Sequence, residues 1–234
     1  MRDPLTIAVA QPTCTPCDVG SNALVHASMV RSAGARVVVF PELSLTGYEL
    51  GTAPSVSLDS PALQPIIDAC AEARSVALLG APVQTDGKRY IAMLAVDATT
   101  VTLAYRKMWL GEAESKLFAS GDRPAVLDVD GWRLGLAICK DTSVPTHRTD
   151  TAALGIDCYV AGLVMFSHEE TAQGERGRRI ATDLDVYVAI ASFAGPTGGG
   201  YDHTAGCSSI WSPQGEVVAK AGAHAGELVK ATLR

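Results

Sequence analysis

Three stretches of this 234-residue chain place a reactive side chain directly after an apolar run. VVVFPELSLTGYEL offers Glu42, AYRKMWLGEAESKLFASGD offers Lys107 and Glu114, and RLGLAICKDTSVP offers Cys139. A side chain at a strand end has a rigidly held base and an accessible tip. A thiol, a carboxylate and an ammonium together provide a nucleophile, a proton shuttle and a donor for a developing oxyanion, which acyl transfer from a poor electrophile requires. Singly, each group has a plainer reading. Glu42 suits a solvated strand end, Lys107 a surface, and Glu114 with its neighbour Glu112 a charged loop. A cysteine after apolar residues is more often inert core. For Cys139 the following turn shifts the balance: Thr142 or Ser143 is predicted to cap, and Pro145 to begin, a helix whose N-terminal dipole favours a nearby thiolate.

The elements that must position these groups follow from apolar periodicity. LTIAVAQ, ARVVVF and SVALLGAPV read as buried strands, with helical patterns over residues 23–32 and 61–74 between them, a βαβαβ rhythm. IAMLAVDA, VTLAYR, AVLDVDG and WRLGLAIC come in quick succession with turns such as TDGK, so hairpin-like strands are inserted into the α/β pattern. Pro145 opens another helix, DCYVAGLVMF is a buried strand, and residues 169–183 form a charged helix before DVYVAIASF. GCSSIWS, EVVAKA and GELVKATLR supply further strands. No linker, low-complexity stretch or fixed-period repeat interrupts the chain, so one domain over residues 1–234 is predicted.

Composition narrows the function classes. Hydrophobic residues are 47% and charged residues 19% of the chain, as suits a sheet covered on both faces. A net charge of −6 leaves no concentrated basic face for nucleic acid or an anionic membrane, so a small-molecule partner is expected. No run approaches the roughly 18 apolar residues of a spanning helix, and MRDPLTIAVAQ lacks an apolar core of secretory length. A cytoplasmic protein with reduced thiols is the expectation.

Together the three segments resemble those of the nitrilase, or carbon–nitrogen hydrolase, superfamily: FPEL for its general base, YRKMWL for its lysine and LGLAICKD for its nucleophile, in the family's order. The resemblance extends through IAVAQPTCTPCDVGSNAL, ATDLDVYVAIASFAG and AGCSSIWSPQGEVVAKA, nearly the whole chain. It implies a four-layer αββα sandwich of two mixed sheets flanked by helices, a homodimer, and catalysis by Glu42, Lys107 and Cys139 without cofactor or metal. ESKLFASG matches the family's second glutamate before a Phe-x-x-Gly element, which selects Glu114 over Glu112. The implied reaction is cleavage of a small amide through a thioester, with Glu42 moving protons and Lys107 plus the backbone N–H of Lys140 facing the oxyanion; the alternatives are a catalytically inactive binding protein of the same fold, or nitrile hydrolysis or acyl transfer with the same triad. Lys140 and Asp141 stand where nitrile-cleaving members usually carry Trp–Glu, which favours an amide substrate over a nitrile.

Other signals are weaker. Tyr48, six residues after Glu42, and His168 in VMFSHEE are candidate substrate contacts. Cys14-Thr-Pro-Cys17 has the spacing of a redox dithiol or half a zinc site, yet no second pair accompanies it, so two ordinary thiols are expected. GPTGGGYDHT lacks the Gly-Lys-Ser/Thr ending of a phosphate loop and reads as a loop near the pocket.

Overall fold

The computed structural model describes residues 2–234. In chain order the elements are β1 (Leu5–Ala10), α1 (Val19–Ala33), β2 (Val37–Val39), α2 (Gln64–Ala73), β3 (Val76–Thr85), β4 (Lys88–Val96), β5 (Val101–Arg106), α3 (Glu112–Ser115), β6 (Ala125–Val129), β7 (Trp132–Ile138), α4 (Pro145–Ala152), β8 (Cys158–Leu163), α5 (Glu170–Leu184), β9 (Tyr187–Ser192), β10 (Ser209–Trp211), β11 (Val217–Lys220) and β12 (Leu228–Leu233). The strands form two six-stranded mixed sheets, ordered β12-β1-β2-β3-β4-β5 and β11-β10-β9-β8-β7-β6. Each has a parallel centre, β1-β2-β3 or β7-β8-β9, with antiparallel strands on either side.

The near-continuous apolar strands are explained by what lies on each face. Alternate residues of the first sheet, such as Ile7, Val9, Val39 and Leu78, meet Leu134, Leu136, Val160 and Ala189 of the second in a layer between the sheets. The intervening residues Ala8, Val38, Phe40 and Leu79 pack under α1 and α2 against Ala23, Ala27 and Ile66. On the opposite side Ala137, Tyr159, Ala161 and Val188 pack against Ile180 and Ala181 of α5. With both faces apolar, period-2 alternation disappears from the sequence. The result is the αββα sandwich that the resemblance implied.

Helix ends carry one correction. Thr142 and Ser143 do not cap α4. Residues Cys139–Ser143 form a 3₁₀ turn, in which the Thr142 hydroxyl donates back to the Cys139 carbonyl at 2.6 Å and that of Ser143 to the Lys140 carbonyl at 2.7 Å. The cap position of α4 is Val144, which offers no side-chain acceptor, with Pro145 in the first turn as expected. Hydroxyls of Ser and Thr satisfy nearby carbonyls as readily as amides, so the residue types alone did not distinguish the two.

Candidate active site

The site collects at the carboxyl ends of strands from both sheets. Glu42 lies three residues beyond β2, where the chain runs between the sheets, and two glycines make that passage possible. A Cβ on Gly80 of β3 would stand 2.2 Å from the Leu43 nitrogen, and one on Gly162 of β8 would stand 2.9 Å from the Glu42 nitrogen. Beneath this turn the Ser44 hydroxyl faces the buried His26 ring at 2.9 Å, and the other ring nitrogen lies 2.6 Å from the Asn22 carbonyl. Burial pulls the His26 pKa down to about 4, so the ring is a neutral prop, donating to Asn22 and accepting from Ser44.

Lys107 follows β5 directly and is almost wholly buried. Its ammonium donates to Glu42 Oε1 at 2.6 Å and to the two Glu114 oxygens at 2.7 and 2.8 Å. Burial opposes the Lys107 charge, but the surrounding acidic groups, Glu42 first, outweigh it and raise the pKa. Glu114 sits in α3, and besides the lysine it accepts from the Gly111 backbone at 2.6 Å and from the Tyr48 hydroxyl. Although burial works to raise it, Lys107 holds the Glu114 pKa below the ordinary carboxylate value.

The two carboxylates therefore differ. Both Glu114 oxygens are occupied by donors, whereas Glu42 Oε2 is buried without a hydrogen-bond partner. Burial pushes the Glu42 pKa up to about 7, against the lowering effect of Lys107. One carboxylate is fixed and ionised, and the other is poised to exchange a proton near neutrality.

Cys139 directly follows β7 and opens the 3₁₀ turn with φ of 41°, a left-handed conformation that costs on the order of 1–3 kcal/mol in a non-glycine residue. Its thiol donates to the Val164 carbonyl just beyond β8 at 3.5 Å. Burial, reinforced by the Glu42 charge, raises the thiol pKa to about 12. At rest Cys139 is thus a protonated thiol, and the dipole of α4 has not made it a thiolate.

The remaining candidates divide. Tyr48 belongs to the cluster through Glu114. The Lys140 side chain is exposed and donates to the Leu110 carbonyl at 2.6 Å, so only its backbone N–H remains available for the expected role. His168 is exposed and stacks on Phe166, whose ring in turn stacks on Tyr201 with centroids 4.3 Å apart. Tyr201 meets Tyr48 edge-on at 4.8 Å, so an aromatic row runs from Glu114 outward to His168. Tyr201 and Phe166 were missed in the sequence. Tyr201 lies in the glycine-rich segment read as a loop near the pocket, and that segment reaches the site by accepting the Tyr48 backbone N–H at the Thr197 carbonyl, 2.7 Å away.

Cys14 and Cys17 are free thiols in the loop after β1, and burial raises the pKa of Cys14 to about 11. Among the described residues no group of three or more His, Cys, Asp or Glu side chains is placed to hold a metal ion. No helix of the described residues is long and apolar enough to cross a membrane.

Comparison with known proteins agrees with the fold. A hydrolase from the pqqF 5′ region of Pseudomonas protegens is 29% identical over 227 residues, spanning 93% of this chain and 79% of the relative. The omega-amidase YafV of Escherichia coli is 24% identical, over 86% of this chain and 78% of its own length. A variant of the amidase from Nesterenkonia sp. AN1, solved in complex with butyramide, superposes with a TM-score of 0.87, 24% identity, and coverage of 98% of this chain and 90% of that one. The sequence profile of the carbon–nitrogen hydrolase family matches residues 6–234, and the chain belongs to that family.

Proposed function

We propose that this enzyme hydrolyses the C–N bond of small neutral amides through a thioester on Cys139. The observation that carries the reading is the unpartnered, buried Glu42 Oε2, on a carboxyl whose pKa is near 7, in a site whose other carboxylate is fully occupied. A proton acceptor of this kind is what a protonated thiol requires. The amidase and omega-amidase activities of relatives support amides as the substrate class.

In the first half-reaction Glu42 takes the Cys139 proton as sulfur bonds to the amide carbon, and the carbonyl pair moves to oxygen. Lys107 and the backbone N–H of Lys140 stabilise that oxyanion. One ammonium proton is enough for the chelating contact to Glu114, so another can turn to the oxyanion while the lysine keeps Glu42. Collapse breaks the C–N bond, Glu42 returns the proton to nitrogen, and ammonia or an amine leaves. Water then attacks the thioester, again losing a proton to Glu42. The second collapse frees the acid, and the proton returns to sulfur. Glu114 and Tyr48 hold the lysine in place throughout. With two carboxylates against one ammonium the site favours a neutral substrate over an anionic one.

Ammonia release from a panel of aliphatic amides, carbamoyl compounds and nitriles, run with wild type and Cys139→Ala, tests the reading. Wild type is expected to release ammonia from amides and Cys139→Ala from none. Turnover confined to nitriles, or retained by Cys139→Ala, would overturn it.

A further inference from the structure

Cys139 and Lys107 directly follow strands of different sheets, so their separation depends on how the end of β7 is held against the end of β5. Asp141, fully buried in the turn after Cys139, touches both. Its Oδ2 accepts the backbone N–H of Ile138, which precedes Cys139, at 3.0 Å. Its Oδ1 accepts the backbone N–H of Trp109, two residues past Lys107, at 2.9 Å. Tyr105, two residues before Lys107, donates its hydroxyl to Oδ2 at 2.8 Å. The carboxylate thus grips the lysine segment on both sides and the nucleophile segment on one.

A buried chain of donors fixes this carboxylate in turn. The Tyr105 oxygen lies 2.9 Å from His147 Nε2, and His147 Nδ1 lies 3.0 Å from the Tyr159 hydroxyl. The Tyr105 proton is committed to Asp141, so Nε2 must carry the His147 proton, and Tyr159 must donate to Nδ1. Each proton then has one acceptor, with a neutral imidazole, which burial also favours. Tyr159 comes from β8 of the second sheet and Tyr105 from β5 of the first, so the chain of donors crosses between the sheets as well.

We propose that Asp141 is a positioning residue for catalysis, a cross-sheet strap that sets the distance between the Cys139 thiol and the Lys107 ammonium. The proposal rests on the reaction given above, but concerns a residue that need not touch substrate. Asparagine cannot replace it: a carboxamide has one acceptor oxygen, so its NH₂ would face either Ile138 or Trp109, donor against donor. Displacement of a reacting group by about 1 Å is enough to lower turnover about 10²-fold.

The test compares Asp141→Asn, Asp141→Glu and Tyr105→Phe with wild type in kcat, KM, Tm and the rate of iodoacetamide alkylation at Cys139. Asp141→Asn is expected to lose about 10²-fold in kcat with KM within threefold, and to alkylate Cys139 at least tenfold more slowly. Tyr105→Phe keeps both backbone contacts, so a comparable loss of Tm is expected with kcat within about fivefold of wild type. Should Asp141→Asn not fold, Asp141→Glu decides: it retains both oxygens but spreads the strand ends by a methylene, and at least tenfold lower kcat is expected at nearly unchanged Tm. Wild-type kcat and alkylation in a folded Asp141→Asn or Asp141→Glu would overturn the strap, as would kcat losses in all three variants that simply track Tm. If wild type cleaves no amide, the proposed reaction fails, while alkylation still decides whether Asp141 positions the thiol.

Discussion

Glu42 and Glu114 share one lysine, and their environments divide the labour between them. Glu42 must be ionised to take a proton, so kcat/KM for a neutral amide is expected to rise with pH to a plateau above about 7. Glu42→Gln should lack this limb and fall by about 10²–10⁴-fold. The same shift links to stability. The folded state retains a proton that the unfolded chain releases near its ordinary value of 4.5, so stability due to this group is full below 4.5 and lost as pH rises through 7. Denaturant titrations of wild type and Glu42→Gln across pH 4–8 check this: relative to Glu42→Gln, wild type is expected to lose stability as pH rises from 4.5 through 7. Glu114→Gln leaves nucleophile and base in place, so a smaller loss of kcat than in Glu42→Gln is expected. Equal loss would mean that Glu114 also moves protons. These charged residues were legible because three side chains with complementary chemistry followed apolar runs in the family's order. Val164, which receives the Cys139 thiol, was not, because any residue type presents the same carbonyl. Lys140 was legible only as a backbone group, since its side chain bonds Leu110.

At the level of elements, the placement of Glu42 depends on strands that carry no reactive group. Gly162 of β8 lets the Phe40–Glu42 backbone pass: a Cβ there would meet the Phe40 carbonyl at 2.7 Å. Backbone cannot yield as a flexible side chain does, so Gly162→Ala is expected to cost about 1–3 kcal/mol of stability. Turnover should fall far more than the residual folded fraction explains, because the base itself is displaced; denaturant melts and kcat of the folded fraction measure the two separately. Most elements could be read from apolar runs, including the hairpins β3–β4 and β6–β7 with their short turns. α3 could not: Glu112–Ser115 is one turn, too short for a helical period to show, and its Gly111 cap bonds through the backbone. The 3₁₀ turn at Cys139 was hidden for a related reason, since its hydroxyls bond carbonyls that leave no mark on the sequence.

Across the whole molecule, the first sheet brings together Glu42 and Lys107 from 65 positions apart in sequence, and its stacking on the second adds Cys139. Periodicity predicted the strands but not their division between sheets, because apolar residues on both faces do not reveal which partner each face meets. The family resemblance supplied that step, and it also implies a homodimer, for which sedimentation equilibrium should give twice the protomer mass. The central claim is the covalent step at Cys139, and the most direct test is intact-protein mass spectrometry after millisecond mixing with an amide that the wild type turns over. Glu114→Gln, slowed but still able to acylate, is expected to gain the mass of the acyl group without its nitrogen, mapping to the Cys139 peptide; Cys139→Ala should gain nothing and release no ammonia. Ammonia release by Cys139→Ala, or an acyl group found on any other residue, would contradict the account.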